Sequence, residues 1–321
     1  MQERSDPAQA GPARTRIAWY RSPLPEDTLH ALMARSNLQG ILYALLHFGL
    51  LMVTGAVCVA LAREGWWLAL LPALVVHGAC YGFLGYAGLG HELVHRTVFA
   101  TRAPNDLLFA LVSFLTWNNP HYFRKSHVLH HQFTVHEGID GEVRLPQASV
   151  LGQWPALVFF DAGFFLRALQ IGWQNARGIV KGEFGQRMFP EGSADRARLV
   201  AWARLMLAGH AALAVLFIAS GGWVLVAVVN LAPFFGTLPS RALAQAQHYG
   251  MQPNTADFRT CSRTVVLHPF IAFLYWQMNY HVEHHMYPAV PFFRLRALHQ
   301  SIAADLPPPT RGLAAVLRLL R

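Results

Sequence analysis

The sequence predicts an all-α integral membrane protein: four transmembrane helices beneath a cytosolic helical cap that carries clustered histidines. Three observations lead there. The composition is 54% hydrophobic and only 13% charged, about half the charged share of a soluble globular domain. Three long runs, 40–62, 65–90 and 205–240, contain no Lys, Arg, Asp or Glu. Of the 26 Lys and Arg residues, 25 fall on one side of the spans those runs imply.

The first two runs each have the length of one bilayer crossing, about 20 residues. The third has 36 residues and breaks at Ser220-Gly221-Gly222, so it reads as two spans joined by a tight turn, with Arg204 snorkelling at its start. The expected spans are about 40–62, 66–89, 200–220 and 222–240. Only Arg63 lies between the first two, and no Lys or Arg lies in the Ser-Gly-Gly turn. The positive-inside rule then makes the other side cytoplasmic. The expected organisation is a cytosolic arm over 1–39, a membrane unit over 40–300 and a cytosolic tail over 301–321. Both termini and the site face the cytoplasm of what is expected to be a bacterial inner membrane. The opening 23 residues contain no apolar core of a cleaved secretory signal. The net charge of +9 is thus a topology signal, and no nucleic-acid partner is implied.

Two further apolar stretches need placing. Residues 107–117 are too few to span. Residues 150–173 are long enough, but Asp161 and Arg167 interrupt them, and they read as a helix lying in the interface. Cys58, Cys80 and Cys261 show neither metal-knuckle spacing nor a disulfide framework.

The chain has 17 histidines, and their spacing is ordered. His91 and His95 form H-x-x-x-H; His127, His130 and His131 form H-x-x-H-H; His281, His284 and His285 repeat that pattern. On a helix, residues three or four apart share a face, so each box aims its imidazoles at one point. The adjacent His-His pair diverges by one step and reaches neighbouring ions. His248 is an isolated ninth candidate, while His47, His77 and His210 lie inside apolar runs and read as helix-packing residues. Had 150–173 crossed the bilayer, the third box would face the opposite compartment from the first two, which favours the interfacial reading. The first box is also H-E-x-x-H, the helical zinc site of metalloproteases with Glu92 as general base. Eight or nine imidazoles exceed the three or four ligands of one zinc, however. They suit two first-row metals, with iron favoured for oxygen activation and ligand type alone leaving the metal open. A membrane zinc protease and a non-catalytic metal transporter are the remote alternatives.

The three boxes in this order beside paired spans resemble the membrane-bound fatty acid desaturase and hydroxylase superfamily. "YFRKSHVLHHQFT" is similar to its second box, and "NYHVEHHMYPAVPFFRLRALH" to its third with the trailing Pro and Leu-His elements. The resemblance covers about residues 40 to 300. It implies four membrane helices under a cytosolic cap, a non-haem centre of two iron ions, and O2 with two external electrons to remove two hydrogens from an unactivated carbon chain. It further implies the ligands His91, His95, His127, His130, His131, His281, His284 and His285, with His248 as the isolated one. Acyl-CoA desaturases have an asparagine four residues before that histidine; here the position is Ala244, with Gln245 and Gln247 nearby, which leaves the substrate class open. No fused haem domain is visible, so a separate ferredoxin-like or similar donor is expected.

A lipid or acyl-chain substrate would enter from the bilayer, along a route lined by 107–117, Trp117, Tyr122, Phe123, Tyr275 and Trp276. Asn118 and His121, just ahead of the second box, are candidates for catalytic support, and Glu92 and Glu283 for orienting ligating imidazoles. Glu137, Asp140 and Glu142 read either as a solvated loop or as a trap for a cationic head group. Desaturation is the expected reaction, with a hydroxylase, ketolase or oxidative decarboxylase as the alternative on the same scaffold.

Overall fold

The computed structural model describes residues 16–321; the first fifteen residues of the expected arm, and with them most of the stretch read as lacking a secretory signal, lie outside the described residues. The chain is almost wholly helical. A short α1 (Glu26–Leu32) precedes α2 (Asn37–Arg63), which starts where the Ser36 hydroxyl accepts from the Gln39 N–H. Then come α3 (Trp67–Tyr81), a 3-10 turn, and α4 (Leu89–Val94). The middle region holds α5 (Arg102–Leu115), α6 (Pro120–Gln132), α7 (Trp154–Val158), α8 (Ala162–Ala176) and α9 (Glu183–Met188). After α10 (Ala194–Ala219) and α11 (Leu238–Ala246) the helices shorten: α12 (Phe258–Cys261), α13 (Pro269–Leu274), α14 (His281–Met286), α15 (Leu295–Ile302) and α16 (Leu313–Leu319). A parallel pair, β1 (Val265–Val266) with β2 (Thr310–Arg311), ties the tail to the third-box region.

Among the described residues, three helices are long and apolar enough to cross a membrane: α2, the α3–α4 unit Trp67–Val94, and α10. At 1.5 Å per residue, a 27-residue helix such as α2 exceeds the roughly 30 Å hydrocarbon core. Its exposed leucines and Met52 are what lipid would cover. The loop after α2 and the turn after α10 meet at one end, where Trp67 and Trp223 lie 5.9 Å apart. Trp66, Trp67 and Trp223 are all exposed there, as in an interfacial aromatic belt. The histidine boxes lie at the other end.

The stretch expected as a fourth span is not one continuous helix. It passes through a π turn (Val226–Asn230) and a 3-10 turn (Ala232–Phe234) before α11. Pro233 and Pro239 interrupt regular hydrogen bonding, and the chain presses directly onto α3. A Cβ on Gly78 would collide with the Phe235 and Ala232 carbonyl oxygens, and one on Gly236, at φ +57°, with the Val75 carbonyl. Residues 150–173 likewise divide, into a 3-10 turn, α7 and α8, none long enough to span. The break is built: the Asp161 N–H donates to the Phe234 carbonyl at 2.8 Å, and its carboxylate caps α8 and holds Arg241.

The histidines within the apolar helices are packing residues. His47 Nε2 donates to the Cys80 carbonyl and Nδ1 accepts from Trp276 Nε1. His77 joins Thr54 to the Val228 carbonyl, and His210 joins Asn230 to the Phe114 carbonyl. Each ring bonds through both nitrogens, so none of these ring nitrogens is stranded. The three cysteines are buried and unpaired.

Candidate metal centre

Each box arrives on its own short element. The α3–α4 unit carries His91 and ends at His95. Helix α6 starts where the Asn119 side chain accepts from the His121 and Tyr122 N–H groups, with Pro120 pre-set for the first turn; seven to eleven residues on, it presents His127, His130 and His131. Helix α14 is buried at all six positions. Its Val282 and Met286 belong to a core that also includes Val135, Leu295 and Leu298.

The nine histidines form two groups. His91, His95, His127, His131 and His284 make one; His130, His248, His281 and His285 make the other, with ligand atoms within 4.8 Å of one another in each. Within them, neighbouring Nε2 atoms stand 2.9–3.2 Å apart. With metal–imidazole bonds of about 2.1 Å, ligands at right angles sit about 3.0 Å apart and tetrahedral ones about 3.4 Å. The spacing therefore fits ions of higher coordination number than a tetrahedral zinc.

Four of the opposite ring nitrogens are held from behind, whereas Nδ1 of His131, His281 and His284 has no hydrogen-bond partner. His127 Nδ1 donates to Glu142 Oε2 at 3.0 Å, His130 Nδ1 to Asp140 Oδ2 at 2.8 Å, and His248 Nδ1 to the Cys261 carbonyl at 2.8 Å. His285 Nδ1 lies 3.2 Å from Thr134 Oγ1. A ring that donates through Nδ1 carries a lone pair on Nε2. Nε2 atoms at this distance either share a hydrogen bond or hold a cation between them, and the clustering of nine such rings in two groups fits two metal ions.

Electrostatics point the same way. Burial and the neighbouring imidazoles push His127, His131, His281, His284 and His285 well below the usual imidazole range, and His95 and His248 down to about 3. These rings stay neutral and able to ligate. Burial would lower His130 too, but Asp140 outweighs it and raises it, while His130 holds Asp140 below its ordinary value against the effect of burial. Burial pushes Glu142 up to about 7 despite the Ser126 hydroxyl on Oε1. The imidazoles bring no negative charge to two divalent ions, and the buried Asp140 carboxylate supplies it from behind His130.

Backbone strain is present here as well. Among the described residues, two of the six non-glycine residues with positive φ, Arg96 and Val135, closely follow a box. Each such residue costs about 1–3 kcal/mol and persists only where its surroundings impose it. Val135 is β-branched, and its N–H is fixed by Asp140 Oδ2 at 2.8 Å.

Other anticipated residues lie elsewhere. Asp140 and Glu142, considered for a substrate head group, are instead engaged with His130 and His127; of that acidic trio only Asp140 is buried. Glu92 is buried, with Oε1 3.7 Å from His284 Nδ1 and Oε2 3.4 Å from Thr97 Oγ1. It faces the back of a box imidazole rather than the converging Nε2 atoms. Glu283 turns to Thr264 (2.6 Å) and His299, and not to a box imidazole. Asn118 bonds Thr116 and, through its carbonyl, Trp202; His121 is half-buried beside Trp202, outside both groups. Trp117 stacks on His210, Tyr122 on Phe189, Tyr275 accepts from Gln247, and Trp276 bonds His47. Phe123 does reach the centre, stacked on His127 at 4.8 Å and on Tyr86 at 3.6 Å. Thr134 and the Cys261 carbonyl went unforeseen, since neither residue type signals a ligand's partner in sequence.

The family profile described as Fatty acid desaturase matches residues 65–313, more than half of the chain. The chain belongs to the fatty acid desaturase family. No curated protein matches it. The desaturase match begins after α2 and runs into the tail, so it lies further toward the C-terminus than the 40–300 expected from the motifs. It contains all nine clustered histidines. Membership makes the protein an oxidoreductase, and the two histidine groups are able to bind metal in the manner such chemistry needs.

Proposed function

We propose that the protein carries out O2-dependent desaturation of an alkyl or fatty acyl chain at a histidine-ligated diiron centre. The observation that supports this most is the convergence of nine imidazoles in two groups, their ligand atoms within 4.8 Å of one another in each. His91, His95, His127, His131 and His284 would hold one iron, and His130, His248, His281 and His285 the other. Such a pair, when bound, supplies the one-electron and O2 chemistry for which side chains have no reagent. Two electrons would come from a separate ferredoxin-like donor. The chain's own residues orient: Asp140 and Glu142 fix the His130 and His127 tautomers, and the buried α14 positions its three histidines. The placement of Glu92 behind the His284 ring speaks against a zinc protease, whose general base must face the water on the metal.

The membrane arrangement that fits the charge count has four crossings, the broken stretch 222–240 being the fourth. Both termini and the boxes would lie on the cytoplasmic side, beneath a cap formed by the arm, the middle helices and the C-terminal helices. Mass spectrometry of lipids and small metabolites from an expressing host tests the reaction. A product two hydrogens lighter is expected, whereas a gain of oxygen would make the protein a hydroxylase.

A further inference from the structure

Helix α5 carries two apolar faces, and the fold covers one of them. Phe109 and Val112 are buried in the core. Pro104, Leu107, Leu108 and Leu111, at positions i, i+3, i+4 and i+7, form a second face. With Asn37 and Ile41 of α2 they line a cavity of about 440 Å³. Ile41, Leu107 and Leu111 are exposed. No box histidine borders this cavity, so it is not the route to the metal centre expected of residues 107–117.

Its place along the spans indicates what covers it. At one end of α5, the Thr101 N–H and hydroxyl donate to Asn37 Oδ1 at 3.1 and 3.3 Å. Asn37 lies three residues before the charge-free run of α2 begins at Gly40. At the other end, the Phe114 ring stacks on His210 at 4.5 Å and its carbonyl accepts from His210 Nε2. His210 lies six residues beyond Arg204, within the charge-free part of α10. With α2 and α10 crossing the bilayer, α5 descends from the cage-side boundary into the hydrocarbon, and its exposed leucines meet acyl chains.

The boundary end is cationic. Arg35, two residues before Asn37, and Arg102, directly after Thr101, are both exposed. Arg102 shares Asp106 with Arg96 and Arg124, three guanidiniums on one carboxylate. No side chain caps the N-terminus of α5, and that end of a helix favours an anion.

We propose that the groove between α2 and α5 holds an anionic phospholipid of the surrounding leaflet. One acyl chain lies along Leu107, Leu108 and Leu111, and the phosphate sits at Arg35, Arg102 and the start of α5. The apolar lining favours a chain over water, and exposed guanidiniums at the membrane surface select a negative headgroup. The site is separate from the metal centre and rests on α2 and α10 spanning the bilayer.

The test is native mass spectrometry of the full-length protein in detergent micelles, titrated with palmitoyl-oleoyl phosphatidylglycerol or the matching phosphatidylcholine. Phosphatidylglycerol is expected to saturate at one retained lipid and to bind at least tenfold more tightly than phosphatidylcholine. Arg35→Gln, which leaves the Asp106 pairs in place, should weaken phosphatidylglycerol about fivefold, and Arg35→Gln/Arg102→Gln about tenfold or more. Neither should change phosphatidylcholine by more than twofold. Leu107→Trp, which fills the groove, should weaken both lipids, and every variant should keep its metal content. Equal affinity for the two lipids, unsaturable binding, or binding indifferent to these substitutions would overturn the assignment. A chain that stays monodisperse without detergent would instead overturn the membrane reading beneath it.

Discussion

Four of the nine imidazoles, His127, His130, His248 and His285, are set by groups the motifs do not display. His130 and His127 owe ring orientation and tautomer to Asp140 and Glu142, ten and fifteen residues on in sequence. The histidines themselves were legible because a helix converts spacing into direction. Their carboxylate partners were not, because a loop converts no spacing into direction, and "HEGIDGEV" looks like any solvated acidic turn. Left-handed Val135 was equally hidden, since nothing in a valine's identity announces a positive φ. Removing one carboxylate's ability to accept should be felt at the metal. Asp140→Asn and Glu142→Gln are each expected to lower iron affinity about 10–100-fold while the protein still folds. Chelator competition on the purified variants measures this, and unchanged affinity would mean that the carboxylates serve folding alone.

Among the elements, the box-bearing segments are held in mutual register by charge. Asp106 on α5 binds Arg96 just beyond α4, Arg102 on its own helix and Arg124 on α6, at 2.9, 3.2 and 3.1 Å. Burial alone would raise Asp106, but the three guanidiniums together hold it down at about 2. A carboxylate depressed on folding contributes stability that is complete above its unfolded value near 4, and loses it as pH falls toward 2. Partial exposure limits the effect to about 1 kcal/mol. Asp106→Asn should therefore lower the melting temperature at pH 7, with the gap from wild type closing between about pH 4 and pH 2; a constant gap would count against the charge network. The broken stretch 222–240 shows what hydropathy misses. Its composition suits a span, but whether the backbone runs as one helix depends on Pro233, Pro239 and the close approach of Gly236 to α3, which is a property of two segments at once. The interruption of 150–173 was legible, because Asp161 marks the joint.

For the whole molecule, three long helices put both interhelical turns at one end and the histidine cage at the other. The uneven distribution of Lys and Arg predicts which end faces the cytoplasm, and cysteine labelling in intact cells can check it. With the native cysteines buried, Ser220→Cys should react with an impermeant maleimide from outside, and Glu137→Cys only after permeabilisation. Both reacting from one side would refute the topology. The parts of the account meet in a single quantity, the metal content of the purified chain. Plasma mass spectrometry of the wild type, His281→Ala and His284→Ala should find two irons per chain in the first and fewer in both variants, because each histidine belongs to a different group. One zinc per chain, retained when His281 is removed, would contradict the diiron centre outright.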